Sequence, residues 1–237
     1  MKADLIIKVE GLKKHYPIGG GYFTALNGID LDFTRGEFAA LIGPSGSGKT
    51  TMINIIGSLD MPSEGRVTFM GHSIGELDAK EAAHIRSSKM GFVFQTYNLL
   101  QVYTVFENVE LPLLLLGIER SKRKKMVLDA IDWVGLTEKI KSKPPQLSGG
   151  ESQRVAIARA MVKNPAVVFA DEPTANLDAA NSYNILQTME KLNRELQTTF
   201  IFATHDEKVI SYVHRRIYLA DGQVVQDENV IPQKKEE

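Results

Sequence analysis

Two glycine-rich stretches, each opening a helix, carry the residues best suited to hold phosphate. The first, GPSGSGKTT at 43–51, satisfies the spacing G-x-x-x-x-G-K-[ST]. Its glycines let consecutive backbone N–H groups converge on phosphate oxygens, and the helix that follows adds its positive end. Gly43, Pro44, Ser45, Gly46, Ser47, Gly48, Lys49, Thr50 and Thr51 make up this loop. Lys49 is placed to reach the β- and γ-phosphates of a nucleotide, and the Thr50 hydroxyl to ligate Mg²⁺. The second stretch is LSGGESQRVAIARAMV at 147–162. Ser148, Gly149 and Gly150 would offer donors and a second positive helix end. One bound nucleotide does not need two such sites.

A phosphate loop of this kind works with acidic partners. Asp171 ends the apolar run VVFAD and can hold the metal through water. Glu172 follows it, where a carboxylate aimed at the γ-phosphate takes a proton from attacking water. His205 ends FIFATH in the same manner. A single histidine is more often structural, but three strands end in polar residues at what should be one sheet edge. That convergence assigns His205 to the γ-phosphate or to the attacking water. Gln95 ends GFVFQ and either completes the metal shell or senses the γ-phosphate. The histidines at 15, 72, 84 and 214 have no comparable company.

These side chains need a scaffold, and hydrophobic periodicity supplies one. Leu26, Ile29, Leu31 and Phe33 suit strands of an antiparallel layer near the N-terminus. EFAALIG, MGFVFQ, AVVFADE and TTFIFATH are near-continuous apolar runs separated by helices, the pattern of a parallel sheet covered on both faces. Between about 96 and 163 the pattern is helical, with Val127, Ala130, Ile131 and Val134 on one stripe. Residues 178–196 form another helix, with Ile185, Leu186, Met189, Leu192 and Leu196 inward. The reading is an α/β parallel-sheet core with a helical insertion, one domain over 5–228, and a polar tail at 229–237.

Bulk properties narrow the function. The chain has 237 residues, a net charge of −1 and no cysteine. No global basic field points to nucleic acid, and neither disulfides nor thiolate metal sites are available. The longest apolar run, LPLLLLG at 111–117, is far below the roughly 20 residues that span a bilayer. It suits the core of the helical part, with some residues lining a groove for a partner. MKADLIIKVEG does not read as a signal peptide, so a cytoplasmic location is expected. The basic run KRKK at 122–125 begins a helix and reads as a solvated face, with anionic lipid or a permease as alternative contacts.

Taken in order, these motifs resemble the ATP-binding cassette (ABC) ATPases, of P-loop NTPase (RecA-like) fold. Residues 43–50 match Walker A, Gln95 the Q-loop, Leu147–Glu151 the signature, and Val167–Asp171 with Glu172 the Walker B region. Asn176–Leu177–Asp178 matches the D-loop and His205 the switch histidine. The resemblance covers about residues 5–228. Glu151, where many members carry glutamine, and the stretches FQTYNLLQVYTVFENVELPLLL and DEPTANLD are similar to the lipoprotein-releasing and macrolide-exporter (LolD/MacB-like) branch. Gln101 departs from that branch, which often has proline there. Glu151 should point away from phosphate, leaving recognition to the backbone.

The resemblance implies an answer to the doubled phosphate site. Two copies would meet head to tail, the signature of one closing over the ATP held by Walker A of the other. Asp178 would lie at that interface. Tyr16 matches the aromatic that stacks on adenine, with Tyr22 and Phe23 as alternatives beside the glycines at 19–21. The expected function is an ATP-hydrolysing, Mg²⁺-dependent subunit that drives a separately encoded membrane permease, peripheral on the cytoplasmic face, with lipoprotein release or drug or peptide export as the task. The competing class, a soluble ABC ATPase acting on DNA or ribosomes, usually carries long coiled coils or two cassettes. Neither is present here.

Overall fold

A computed structural model describes residues 4–232, and the tail expected from 229 onward lies outside them from 233. The chain opens with a long hairpin, β1 (Leu5–Ile18) and β2 (Gly21–Thr34), followed by β3 (Phe38–Ile42) and α1 (Lys49–Ile56). Next come β4 (Glu64–Phe69), β5 (His72–Ser73), α2 (Ala79–Lys89) and β6 (Met90–Phe94). Three helices then intervene, α3 (Val105–Leu115), α4 (Arg120–Trp133) and α5 (Gly149–Met161). The remainder is β7 (Val167–Asp171), α6 (Ala179–Leu196), β8 (Thr199–Thr204), α7 (Glu207–Tyr212), β9 (Arg215–Ala220) and β10 (Gln223–Asn229).

Two sheets result. The first has the order β2-β1-β4-β5 and is antiparallel throughout. The second has the order β10-β9-β3-β8-β7-β6 and is parallel except for the β9–β10 edge pair. Alternation along each central strand splits the interior in two. Phe38, Ala40, Phe200, Phe202, Val168 and Ala170 face the helical layer. Ala39, Leu41, Ile201, Ala203, Val167 and Phe169 face α1 and the antiparallel sheet. A strand buried on both faces has no polar face to show, which is why these runs are continuously apolar.

The helical insertion packs on the first of these faces. Val109 and Leu113 of α3, Val127, Ala130 and Ile131 of α4, and Val155 to Ala158 of α5 are all buried there. LPLLLLG is partly core and partly exposed. Leu113 is fully buried, but Leu114 and Leu115 are 46% and 74% exposed, because a helix turns only one residue in three or four inward. The basic run lies within the first turns of α4 rather than at its start, since the helix begins at Arg120. Glu119 precedes it and accepts from the backbone N–H of Ser121 (2.9 Å). Among the described residues, no helix is long and apolar enough to cross a membrane.

Candidate functional site

Parallel register is what gathers the site. Phe94 lies opposite Asp171, Asp171 opposite Ala203, and Ile42 opposite Thr204. The C-terminal ends of β6, β7, β8 and β3 therefore stand side by side, and the residues just past them share one edge. Gln95, Asp171, Glu172 and His205 line a cavity of about 430 Å³ there, with Lys49, Thr50 and Thr51 across from them.

The loop into α1 is built from backbone. Gly48, at φ 103°, turns the chain into α1 with no side-chain cap, unlike every other α-helix among the described residues. Its first N–H groups are thus free for a ligand. Ser45, Gly46 and Gly48 line the cavity, whereas Gly43, Pro44 and the buried Ser47 do not. The Lys49 ammonium donates to the carbonyls of Gly43 (2.7 Å) and Pro44 (2.9 Å), so loop and lysine brace each other.

The acidic side is closely linked. Thr50 Oγ1 donates to Asp171 Oδ2 at 3.2 Å. Burial raises the Asp171 carboxyl above its ordinary pKa; the Glu172 charge acts in the same sense, and the Thr50 hydrogen bond and Lys49 oppose it. Asp171, the Thr50 hydroxyl and the Gln95 amide are hard oxygen donors around one space. Such a set fits Mg²⁺, which takes one or two carboxylates and shares its remaining positions with water and substrate phosphate. Glu172 sits at φ 46°, a left-handed conformation that non-glycine residues rarely adopt. Its N–H donates to Ala203 O (2.9 Å), Thr204 Oγ1 donates to its Oε2 (3.0 Å), and His205 Nδ1 lies 2.6 Å from its Oε1. A carboxylate can only accept, so Nδ1 carries the proton.

At the far end of the cavity Tyr16 and Phe23 both contribute, and Tyr22, 76% exposed, does not. The Tyr16 hydroxyl donates to Asp60 Oδ2 (3.0 Å), and Lys14 Nζ stands 5.0 Å from the ring centroid. Lys14 also donates to Asp60 Oδ1 (2.8 Å). Burial works against the Asp60 charge, but donors from Lys14, the Met61 N–H and Tyr16 outweigh it and hold the carboxyl below its usual value. Asp60 has no sequence signal of its own. It lies 44 residues from Tyr16, and only folding reveals the pair.

The signature residues lie elsewhere: Ser148, Gly149, Gly150, Glu151 and Asp178 are not among those lining this cavity. Ser148 caps α5, its Oγ accepting from the Glu151 N–H (3.2 Å), and Glu151 reaches back to the Ser148 N–H (2.8 Å). That backbone bond holds the Glu151 carboxyl below its ordinary pKa against some burial, with Lys139 at 3.3 Å assisting. The Glu151 carboxylate is thereby held by its own capping box and by Lys139, while Gly149 is exposed at this helix start and Gly150 is buried. Asp178 caps α6, accepting from the Asn181 N–H (2.8 Å) and side-chain amide (2.7 Å).

The wider comparisons agree with this construction. Residues 26–175 match the family model described as ABC transporter. The chain is 43% identical over 229 residues to the ABC transporter ATP-binding protein MJ0796 of Methanocaldococcus jannaschii, covering 95% of this chain and 97% of that one. It is 42% identical over 222 residues to the lipoprotein-releasing system ATP-binding protein LolD of Geobacter metallireducens, covering 94% and 99%. A dimeric structure of MJ0796 in a post-hydrolysis state, bound to ADP and Pi, superposes with a TM-score of 0.87 over 94% of this chain and 98% of that one, at 42% identity. A phosphate edge assembled from four parallel strands, with a second capped helix standing apart from it, thus comes with likeness along nearly the whole chain, and the protein belongs to the ABC transporter family of ATP-hydrolysing cassettes.

Proposed function

We propose that the chain is the ATPase subunit of a transporter or mechanotransmission complex, working as a head-to-tail pair with nucleotide between the copies. One observation carries this reading: the cavity lined by Lys49, Asp171, Glu172 and His205 excludes Ser148, Gly149 and Gly150, which open α5 with a positive helix end of their own. A second copy gives that helix end a phosphate to bind. The dimeric form of MJ0796 supports it.

The residue roles follow. The loop 43–51 and Lys49 hold the β- and γ-phosphates, and Tyr16 stacks on the base, with Phe23 lining the same end. Thr50, Asp171 and Gln95 would hold Mg²⁺, which when bound would neutralise phosphate charge. Glu172 takes the proton from the attacking water, and His205, donating from Nδ1, fixes the carboxylate's orientation. Ser148 and the two glycine amides close over the partner's γ-phosphate, and Asp178 lies at the seam between copies. Cleavage of the terminal phosphate removes the group that both copies grip, so the pair opens.

Likeness to LolD supports a subunit held at the cytoplasmic face of a membrane by a separate permease, with lipoprotein release or drug or peptide export as its task. A role on DNA or ribosomes is not favoured, and the net charge of −1 offers it no support. The test is Glu172→Gln. Expected are loss of turnover by at least about a hundredfold, retained ATP binding, and an ATP-dependent dimer by light scattering. Normal turnover in this variant rejects Glu172 as the base.

A further inference from the structure

Past Gln95 the chain passes through two consecutive left-handed residues, Tyr97 (φ 59°) and Asn98 (φ 50°). Neither is glycine, so the surroundings must hold the conformation against its cost. The holding group is Arg159, near the end of α5. Its Nη2 donates to Tyr97 O (2.7 Å) and its Nη1 to Asn98 O (2.6 Å). The guanidinium is half-buried and has no carboxylate partner among the described residues. A planar fork that spends its donors on two adjacent carbonyls is a backbone clamp. Two further neighbours border the same segment. The Tyr97 hydroxyl lies 3.1 Å from where a side chain on Gly149 would begin, and Asn176 Nδ2 donates to Gln95 O (3.0 Å).

We propose that Arg159 is a positioning residue for ATP hydrolysis: by clamping Tyr97 and Asn98 it joins the Gln95 segment to α5, so that the residue facing one nucleotide and the helix end facing the other move as one piece. Motion of Gln95 towards a γ-phosphate is then passed to Ser148 and Gly149 through a rigid helix rather than a loose loop. The inference rests on the nucleotide-facing roles proposed for Gln95 and Ser148.

Arg159→Lys keeps the charge but replaces a planar fork, with a separate nitrogen for each carbonyl, by a single point donor on a differently shaped stem. Expected is a fall in kcat of roughly tenfold, with the affinity of isolated subunits for a fluorescent ATP analogue within about twofold of the parent. Adding Asn98→Gly should recover several-fold of kcat, because glycine takes the left-handed conformation without steric cost. A purely structural role for Arg159 predicts no such rescue. Should Arg159→Lys fail to fold, Asn98→Val keeps the test alive: its side chain is exposed, and a β-branched residue resists this conformation, so the same loss of kcat is expected with Arg159 intact. Parental kcat in Arg159→Lys, absence of rescue by Asn98→Gly, or parental kcat in Asn98→Val overturns the clamp. Ser148→Arg is measured alongside. If it hydrolyses ATP normally, the two-copy reading has failed; if it is inactive while the clamp variants are normal, only the clamp has.

Discussion

At the scale of single residues, the site separates groups that chemistry makes recognisable from groups that only position them. Lys49, Thr50 and Asp171 are legible in sequence because their spacing and flanking apolar runs carry the signal. Asp60 is legible only in the folded chain. Its carboxylate holds both the Tyr16 hydroxyl and the Lys14 ammonium, which leaves the ring at a set angle over the cavity. Asp60→Ala frees that ring to reorient and returns Lys14 to solvent. The expected result is a several-fold weaker ATP dissociation constant, about 1 kcal/mol by the scale of such stacking contacts, with kcat at saturating ATP little changed. A titration of the fluorescent nucleotide alongside steady-state kinetics separates the two quantities. An unchanged dissociation constant would remove Tyr16 from base binding and turn attention to Phe23. The left-handed Glu172 was likewise hidden, since no pattern of residue types reports a backbone angle.

Among the elements, the opening turn of α5 shows where a sequence reading is incomplete. Both glycines were assigned to phosphate, yet Gly150 has a second reason within its own chain. A side chain there would begin 2.5 Å from Asn181 Oδ1, and Asn181 is pinned to Asp178 at the start of α6. Gly149 is less confined, with the Tyr97 hydroxyl at 3.1 Å as its nearest neighbour. The two positions should therefore respond differently to one added methyl. Gly150→Ala should destabilise the fold by about 1–2 kcal/mol through overpacking. Gly149→Ala should be neutral or slightly stabilising, since alanine favours a helix by up to about 1 kcal/mol over glycine, while on the proposed pairing turnover falls because the methyl presses on the Tyr97 hydroxyl and shifts the helix end that meets the partner's phosphate. Urea unfolding and ATPase rates on both variants decide it. Full activity in a stable Gly149→Ala would mean that this face meets no nucleotide. The broad elements were readable from periodicity because central strands buried on both faces are apolar throughout. The half-exposed 111–117 segment was not, because a run of leucines hides which one in three turns inward.

For the whole molecule, the two sheets must keep a fixed relation if the base end and the phosphate end of the cavity are to hold one nucleotide. Arg215 helps to set it. The guanidinium pairs with Asp227 of β10 (2.9 and 2.7 Å), donates to Asp32 O of β2 (2.6 Å) and reaches Glu37 before β3 (3.0 Å). The hydrogen bonds it donates to Asp227 and the nearby Glu37 charge raise its pKa above the ordinary arginine value despite burial. That strut leaves the signature end of α5 as the feature unexplained within one chain, and pairing can be tested without disturbing the fold. Lys49→Ala disables one phosphate loop, and Ser148→Arg blocks one signature; each protein alone should be inactive. In a head-to-tail pair of one with the other, both lesions fall in one site and the second site is intact. Random mixing then restores roughly a quarter of the parental sites, half the pairs being mixed and each having one sound site of two. Turnover that rises on mixing, and that depends on protein concentration, requires the signature to act across copies. If no mixing ratio restores turnover although Ser148→Arg still binds ATP, Ser148 and the glycine pair serve the nucleotide of their own chain, and the separation seen between α5 and the Walker A cavity must close by movement within one molecule.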